Sequence, residues 1–364
     1  MSALSCAAER VFSRRADTAR VSARPRSRTR LVAPQSRAAR RGRCVVLSWA
    51  AAVVVVVVSG CGGGQATPSA KRSSAASASA PLALRLASTR PLPAPVQLPA
   101  VTVTGAGALS IAGLDAAESS SSQIVLIDSG GARAVGQLPV ALHDGAAASV
   151  EGQAYYFGGG GASGASAAIY RVGPAGVSVA GRLPAGASDV GAAAVGGRVY
   201  VIGGYTEVVP LRTIVAFTPG GGARVAGMLP QPLRYPAVAA VGGRVLIAGG
   251  TSGQSAQQEI LSFDPRSGVV HQIGTLPQPL THAAGAALDG RLLVFGGRGS
   301  ERTSQRAEIL SIDPATGATS YAGRLPQPLS DMGAASLGGE VLLVGGRDRR
   351  GAAHDRALTY RPAP

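Results

Sequence analysis

An internal repeat of about 45 to 50 residues constrains the fold of this chain more than any other feature. A Leu-Pro dipeptide recurs at near-constant spacings of 46, 45, 46, 47 and 49 residues, at Leu92, Leu138, Leu183, Leu229, Leu276 and Leu325. A small residue followed by glycine tracks it, at Ala112-Gly113, Gly158-Gly159, Gly203-Gly204, Gly249-Gly250, Gly296-Gly297 and Gly345-Gly346. Six like units of this size predict one repetitive array rather than two unrelated domains.

Each unit carries the signals of four short strands. Residues 191–195 are small, Gly196-Gly197 suits a tight turn with positive φ, and residues 198–202 form the returning strand. The same hairpin recurs at Glu151-Gly152, Gly242-Gly243, Asp289-Gly290 and Gly338-Gly339. Third strands are predicted at residues 259–263 and 308–312, and a fourth at residues 269–273.

These units predict an all-β fold, a six-bladed β-propeller of four-stranded antiparallel blades. The first strand of each unit is rich in Ala and Gly, as expected where the innermost strands crowd around an axis. The last unit stops after its third strand, at residues 357–360, while residues 82–86 align with fourth strands elsewhere. We therefore predict that the N-terminal strand completes the sixth blade and closes the ring, which removes an open sheet edge.

The repeat resembles the kelch family. The shared features are the glycine doublet, the Leu-Pro after strand four, and an Asp-Pro-x-Ser/Thr-Gly corner at residues 264–268 and 313–317. The resemblance covers residues 82–364. Kelch units usually carry a Trp in the fourth strand, but the only Trp here is Trp49, so the chain resembles a divergent, Ala-rich member.

The N-terminal segment predicts export and lipidation. Residues 44–58 form an apolar run of fifteen residues, short for a membrane span but suited to a signal peptide. Val58-Ser59-Gly60-Cys61 follows and resembles the bacterial lipobox, which implies a diacylated Cys61. We predict a signal peptide with an Arg-rich extension over 1–61, a flexible tether over 62–80, and the propeller over 81–364. The protein would then be anchored in the bacterial cell envelope, on the outer side of the cytoplasmic membrane.

Two features of this segment leave alternatives open. The apolar run could instead be an uncleaved anchor helix with Cys61 near its end. The long basic extension indicates either a translation start further downstream or, through Arg40-Arg41, a weak twin-arginine-like signal.

The charge and cysteine distributions argue against a nucleic-acid-binding protein and against a disulfide-bonded or thiolate-metal propeller. The formal net charge is +16, but twelve of the 35 basic residues precede Cys44, and the repeats carry no basic stripe. We therefore predict no nucleic-acid partner. Cys6, Cys44 and Cys61 all precede the repeats, so the propeller can contain no disulfide and no thiolate metal site. We expect a monomer with no metal and no cofactor.

Polar residues at equivalent positions are expected to converge on one face. The pairs that follow each Leu-Pro segment are Gln97-Leu98, His143-Asp144, Ser188-Asp189, Arg234-Tyr235, Thr281-His282 and Ser330-Asp331. The loops after each glycine doublet lie on the same face and include Arg298, Arg302 and Arg347. The candidate ligand-binding residues are His143, Asp144, Asp189, Arg234, Tyr235, His282, Asp331 and Arg347. Alternatively, these residues only cap backbone groups beside a wet channel.

Three functions fit this interpretation. The first is a scaffold that binds a protein or glycan through the loop face. The second is a sugar-processing enzyme, since kelch-like propellers include galactose oxidases and sialic acid epimerases. The copper centre of galactose oxidases requires a Cys-Tyr crosslink, which a cysteine-free propeller lacks. An epimerase-like site would use His143 or His282 as base, and Arg234 would hold the carboxylate of the substrate. The third is a rigid spacer in an envelope assembly.

Overall fold

A computed structural model describes residues 82–364 of the chain. The predicted signal peptide, the predicted lipid attachment site at Cys61 and the predicted tether lie outside the described residues. Residues 82–364 contain no helix with the length and apolarity needed to cross a membrane.

Six separate four-stranded antiparallel sheets account for all the strands of residues 82–364. Blade 1 contains β2 (Ala100–Thr104), β3 (Gly107–Ile111), β4 (Ser121–Asp128) and β5 (Gly131–Leu142). Blade 2 contains β6 (Ala146–Val150), β7 (Gln153–Phe157), β8 (Ala168–Gly173) and β9 (Gly176–Arg182). Blade 3 contains β10 (Gly191–Val195), β11 (Arg198–Ile202), β12 (Thr213–Thr218) and β13 (Gly222–Met228).

The remaining blades follow the same order. Blade 4 contains β14 (Ala237–Val241), β15 (Arg244–Ala248), β16 (Gln257–Asp264) and β17 (Val269–Leu280). Blade 5 contains β18 (Ala284–Leu288), β19 (Arg291–Phe295), β20 (Glu308–Ile312) and β21 (Thr319–Arg324). Blade 6 contains β22 (Gly333–Leu337), β23 (Glu340–Val344), β24 (His354–Pro362) and, from the N-terminal end, β1 (Leu84–Val96). The predicted all-β, six-bladed propeller is confirmed.

The N-terminal strand closes the ring, as predicted. Strand β1 pairs antiparallel with β24, with Leu84 opposite Pro362 and Pro91 opposite Arg356. The strand begins two residues later than the predicted 82–86 segment and runs on to Val96. Pro91 is compatible with this strand because β1 is the outermost strand of its blade, and prolines within sheets are largely confined to edge strands.

The hydrophobic core lies between neighbouring blades. Each of six clusters combines residues from two adjacent sheets, and the cluster between blades 6 and 1 joins Val344 to Val101 and Ile127. Aromatic rings meet edge to face across these interfaces, as Tyr200 of blade 3 and Phe263 of blade 4 do with centroids 5.3 Å apart. Stability therefore comes from sheet-on-sheet burial repeated around the ring.

The innermost strands β2, β6, β10, β14, β18 and β22 each contact the next, and β22 returns to contact β2. Their small side chains leave an axial channel of about 140 Å³. Loops that enter each innermost strand and loops that follow each second strand meet at one end of the channel. We call this end the mouth. The opposite end carries the tight hairpin turns.

Candidate functional site

Six equivalent residues surround the axis where the chain enters each innermost strand. All six have φ between +51° and +63°, and we call them the mouth belt: Leu98, Asp144, Asp189, Tyr235, His282 and Asp331. Left-handed backbone costs a non-glycine residue roughly 1–2 kcal/mol, and Asp and His are among the residues that tolerate it best. All six line the axial channel.

Backbone hydrogen bonds between blades offset this strain. In five places the N–H of one belt residue donates to the carbonyl oxygen of the belt residue in the preceding blade. These bonds are Leu98 to Asp331 (2.7 Å), Asp189 to Asp144 (2.7 Å), Tyr235 to Asp189 (3.0 Å), His282 to Tyr235 (3.3 Å) and Asp331 to His282 (3.0 Å). Because the bonds use only the backbone, the fold leaves the belt side chains free to serve another purpose.

A second set of equivalent residues lies directly after the glycine doublets. Each forms an isolated β-bridge with the residue before a belt position, which ties the two kinds of mouth loop together. The bridges are Gln97 with Leu114, His143 with Gly160, Ser188 with Tyr205, Arg234 with Thr251, Thr281 with Arg298 and Ser330 with Arg347. Arg298 and Arg347 are therefore equivalent residues of blades 5 and 6.

A cavity of about 360 Å³ occupies the mouth. Seven of the eight sequence-predicted candidates line it, namely His143, Asp144, Arg234, Tyr235, His282, Asp331 and Arg347. The eighth, Asp189, lines the axial channel below. Three further residues of the mouth loops, Glu118, Arg298 and Arg302, also line the cavity. The volume falls in the range of pockets that hold small ligands, about 300–1,000 Å³.

Arg234 is engaged by the protein itself. Its Nε donates to Asp189 Oδ2 at 2.5 Å, and the Asp189 side chain is only 3% exposed. The guanidinium also lies over the Tyr205 ring, 4.1 Å from its centroid. Arg234, which the sequence suggests as the donor to a ligand carboxylate, thus already compensates a buried carboxylate of the belt.

Asp144 is a buried carboxyl with incomplete hydrogen bonding. Tyr235 Oη donates to Asp144 Oδ2 at 3.0 Å, while Asp144 Oδ1 has no hydrogen-bond partner. Burial raises the pKa of Asp144 well above its ordinary value, and the negative charge of Asp189 raises it further. In the absence of a ligand, burial therefore favours the protonated form of this carboxyl more than it does for an exposed Asp.

His282 is a neutral imidazole within the belt. Its ring stacks on Tyr235 with centroids 3.7 Å apart. Burial lowers the pKa of His282 well below its ordinary value, and the charges of Arg298 and Arg234 add to this effect. Because Arg298 Nη2 can only donate, His282 Nε2 accepts from it at 3.2 Å, and His282 Nδ1 carries the proton toward Thr281 Oγ1 at 3.0 Å.

Asp331 and His143, two further candidates with shifted pKa values, also lie in the mouth. Asp331 accepts from Ser330 Oγ at 2.5 Å, and burial raises the pKa of Asp331. His143 Nδ1 lies 2.9 Å from Ser120 Oγ, and its Nε2 lies 3.8 Å from Asp144 Oδ2. Burial lowers the pKa of His143. Residues 82–364 contain no group of three or more His, Cys, Asp or Glu arranged to hold a metal ion.

Three arginines border one side of the mouth cavity, and we call Arg298, Arg302 and Arg347 the arginine arc. Glu118 Oε1 lies 3.2 Å from Arg347 Nη2 and 3.7 Å from Arg302 Nη2. Arg298 forms no ion pair with a carboxylate of residues 82–364, and its Nη1 reaches only the carbonyls of Gly299 and Ser300. The buried carboxyl of Asp331 also interacts electrostatically with all three arginines. The three positive charges of the arc therefore exceed the charge of these two carboxyls.

Comparison with known proteins agrees with the architecture. The family profile described as Kelch motif matches residues 186–222, which run from the mouth loop before β10 to the first residue of β13. No curated protein matches the chain. The matched segment contains the glycine doublet of blade 3, and the structure repeats the same blade six times around a closed ring. The motif match and the ring of six four-stranded blades together support a kelch-repeat β-propeller.

Proposed function

We propose that this protein is a lipid-anchored binding scaffold on the outer side of the bacterial cytoplasmic membrane. In this proposal the propeller mouth binds a carboxylate carried by a glycan or a protein partner. The kelch-type propeller supports the scaffold role, because such propellers commonly bind proteins. A scaffold also needs no complete catalytic set, only a shaped and charged surface.

The arginine arc is the observation that carries this proposal. Arg298, Arg302 and Arg347 line one cavity with Glu118, and Arg298 has no carboxylate partner among residues 82–364. Arg347 Nε is buried and has no hydrogen-bond partner. Guanidinium groups bind carboxylates through paired, charge-assisted hydrogen bonds, so an arginine without a carboxylate partner beside a cavity favours a carboxylate ligand.

Binding can be tested with the purified full-length chain in detergent. Calorimetric titration would compare N-acetylneuraminic acid and glucuronic acid with glucose and N-acetylglucosamine as neutral sugars. We expect only the acids to bind, with an affinity that falls as salt is added. Arg298→Gln should weaken acid binding roughly 10- to 100-fold, since a hydrogen bond to a charged group contributes about 1.5–3 kcal/mol.

Arg324→Gln is the matched control for that titration. Arg324 pairs with Glu308 on the outer strands β21 and β20, and its side chain is 62% exposed. This variant removes one charge without touching the mouth and should leave acid binding unchanged. Equal binding of neutral and acidic sugars, or equal weakening by both variants, would contradict the proposed site.

The anchor rests on the N-terminal sequence and needs its own experiment. Intact-mass analysis of the mature protein from a bacterial host should show a chain that begins at Cys61 and carries the added mass of acyl chains. Cys61→Ser should abolish both the cleavage and the added mass. A mature chain that retains Met1 would contradict the lipoprotein assignment.

A sugar-processing enzyme is the second candidate, and His143 is the observation that favours it. This side chain borders the cavity, and its Nε2 has no hydrogen-bond partner within the described part of the chain. Such a neutral imidazole can act as a general base. Incubation with N-acetylneuraminic acid, followed by proton NMR, should then show epimer or anomer exchange that His143→Gln abolishes. Exchange equal to that in buffer alone would exclude this activity.

A further inference from the structure

A carboxyl with one unpartnered oxygen lies where the mouth cavity meets the axial channel. Asp144 lines both spaces, and its side chain is only 7% exposed. Its Oδ1 atom is buried without a hydrogen-bond partner. Buried polar atoms in proteins are nearly always hydrogen-bonded, so an unpartnered carboxyl oxygen at a ligand cavity indicates a partner that arrives with the ligand.

The surroundings of Asp144 favour a positive partner. Two more belt carboxyls, Asp189 and Asp331, line the same channel. Arg234 is the cation that acts on Asp144, and it is already paired with Asp189. Asp331 lies nearer to the arginine arc. Tyr235 donates its hydroxyl to Asp144 Oδ2, and the Tyr235 ring lines the cavity beside it. His282 stacks on the Tyr235 ring and the Arg234 guanidinium lies 5.4 Å from the ring centroid, so the unpartnered carboxyl oxygen, rather than the ring, is the group left to contact a ligand.

The positive and negative parts of the site lie on different elements. The arginine arc comes from the loops after β19 and β23, whereas the belt carboxyls come from the entrances of β6, β10 and β22. The arginine arc borders the cavity of about 360 Å³ together with Asp144 and Asp331, while Asp189 lines the axial channel below it. One small ligand can therefore contact both sets at once, provided that it carries one group of each sign.

We infer that the mouth binds a zwitterionic ligand, with its carboxylate on Arg298 and Arg347 and its ammonium group against Asp144. This inference rests on the proposed carboxylate-binding function and names the class of ligand. An amino sugar or amino acid with a free amine fits this description. A hard metal ion does not, because it requires six to eight oxygen ligands, and residues 82–364 offer no cluster of even three acidic, His or Cys ligands.

A pair of sugars that differ only in the amine tests this inference. Muramic acid carries a carboxylate and a free amine, and N-acetylmuramic acid carries the same carboxylate with the amine acetylated. The full-length chain would be titrated with each at about pH 6.5, below the usual pKa of such an amine. We expect muramic acid to bind at least about tenfold more tightly, equivalent to roughly 1.4 kcal/mol.

The variant Asp144→Asn identifies the group responsible. Asn tolerates the left-handed backbone of the belt and still accepts from the Tyr235 hydroxyl, so the fold should persist. Muramic acid should lose its roughly tenfold advantage in this variant, while N-acetylmuramic acid binds as before. Asp355→Asn is the matched control, because Asp355 lies on β24 and pairs with Arg356. It should preserve the advantage.

The outcomes separate this inference from the function on which it rests. Equal affinity for the two sugars would overturn the ammonium site and leave the carboxylate site standing. Binding of neither sugar would overturn both. An advantage for muramic acid that survives in Asp144→Asn would assign the amine to another group and contradict the inference.

Discussion

Both ends of the propeller contain backbone with positive φ, but they use different residues for it. At the hairpin end, five turns carry two residues with positive φ, and the second is always glycine: Gly152, Gly197, Gly243, Gly290 and Gly339. At the mouth, six belt positions also have positive φ, yet none of them is glycine. The hairpin turns depend on residues that fit the backbone, whereas the mouth belt depends on hydrogen bonds between blades.

This difference shows where the fold leaves room for function. Asp189 and Tyr235 have nearly the same backbone, and each N–H donates to the belt residue of the preceding blade. Their side chains differ completely in charge and size. The repeat therefore supplies six equivalent attachment points around one cavity, and each can carry a different chemical group without changing the ring.

Removal of the closing strand should have the largest effect, since both ends depend on the ring. Deletion of residues 82–91 removes most of β1, including buried Leu84, and opens the edge of β24. We expect the free energy of unfolding to fall by more than about 4–5 kcal/mol, measured by denaturant titration. Deletion of ten residues within the predicted tether is the control. An unchanged unfolding curve for the strand deletion would contradict closure by β1.

Loss of the Arg234 charge should cause the next largest loss of stability. Arg234→Met leaves the Asp189 carboxylate buried without its partner, and breaking a buried pair in this way costs about 3–5 kcal/mol. Arg324→Met, which breaks the exposed pair with Glu308, should cost less than about 1 kcal/mol. Chemical denaturation of both variants measures the difference. Similar losses in the two variants would mean that the Arg234–Asp189 pair contributes no more to stability than a surface pair.

The blades could be predicted from the sequence because short-range turn chemistry determines them. Gly196-Gly197 places β10 and β11 at the predicted residues, and the turn predicted at Gly242-Gly243 joins β14 and β15. Strand β1 is longer than the 82–86 segment that aligns with other fourth strands, and it includes Pro91, which an edge strand accommodates. The extra length was not visible in the repeat pattern.

The site could be predicted only in part. The Leu-Pro alignment placed Asp144 and His282 at one mouth, since equivalent residues of a ring share one end. The pairing of Arg234 with Asp189 and the stacking of Tyr235 on His282 depend on side-chain directions across blades, which no spacing encodes. The position after each glycine doublet was the available signal for the equivalence of Arg298 and Arg347.

Two glycines with similar φ would sharpen the comparison between the two ends. Gly243, in a hairpin turn, has φ +77° and open space where a Cβ would lie. Gly249, at the mouth, has φ +60°, and a Cβ there would lie 2.3 Å from the carbonyl oxygen of Leu280. Gly243→Ala should cost about 1 kcal/mol and Gly249→Ala roughly 2–4 kcal/mol. Equal melting temperatures for the two variants would show that the mouth backbone relaxes freely.

The smallest predicted effect is a gain in stability at the mouth. Burial raises the pKa of Asp144, so the folded protein binds that proton more tightly than the unfolded chain does. The stability that this group contributes is complete below its ordinary pKa of 3.8 and is lost as the pH rises through the folded pKa. A neutral asparagine amide at this position would keep the Tyr235 hydrogen bond without that loss. We therefore expect Asp144→Asn to be about 1 kcal/mol more stable than the natural protein at neutral pH.

Thermal unfolding at several pH values would measure this gain. A domain of this size gains about 2–4 °C in Tm for each kcal/mol, and the gain should shrink as the pH falls toward 3.8. A surface carboxylate held by local hydrogen bonds should behave in the opposite way. Turn hydrogen bonds lower the pKa of Asp264, so Asp264→Asn should lose stability at neutral pH. If Asp144→Asn also loses stability there, Asp144 is a structural anchor of the mouth belt, and the unpartnered carboxyl is not reserved for a ligand.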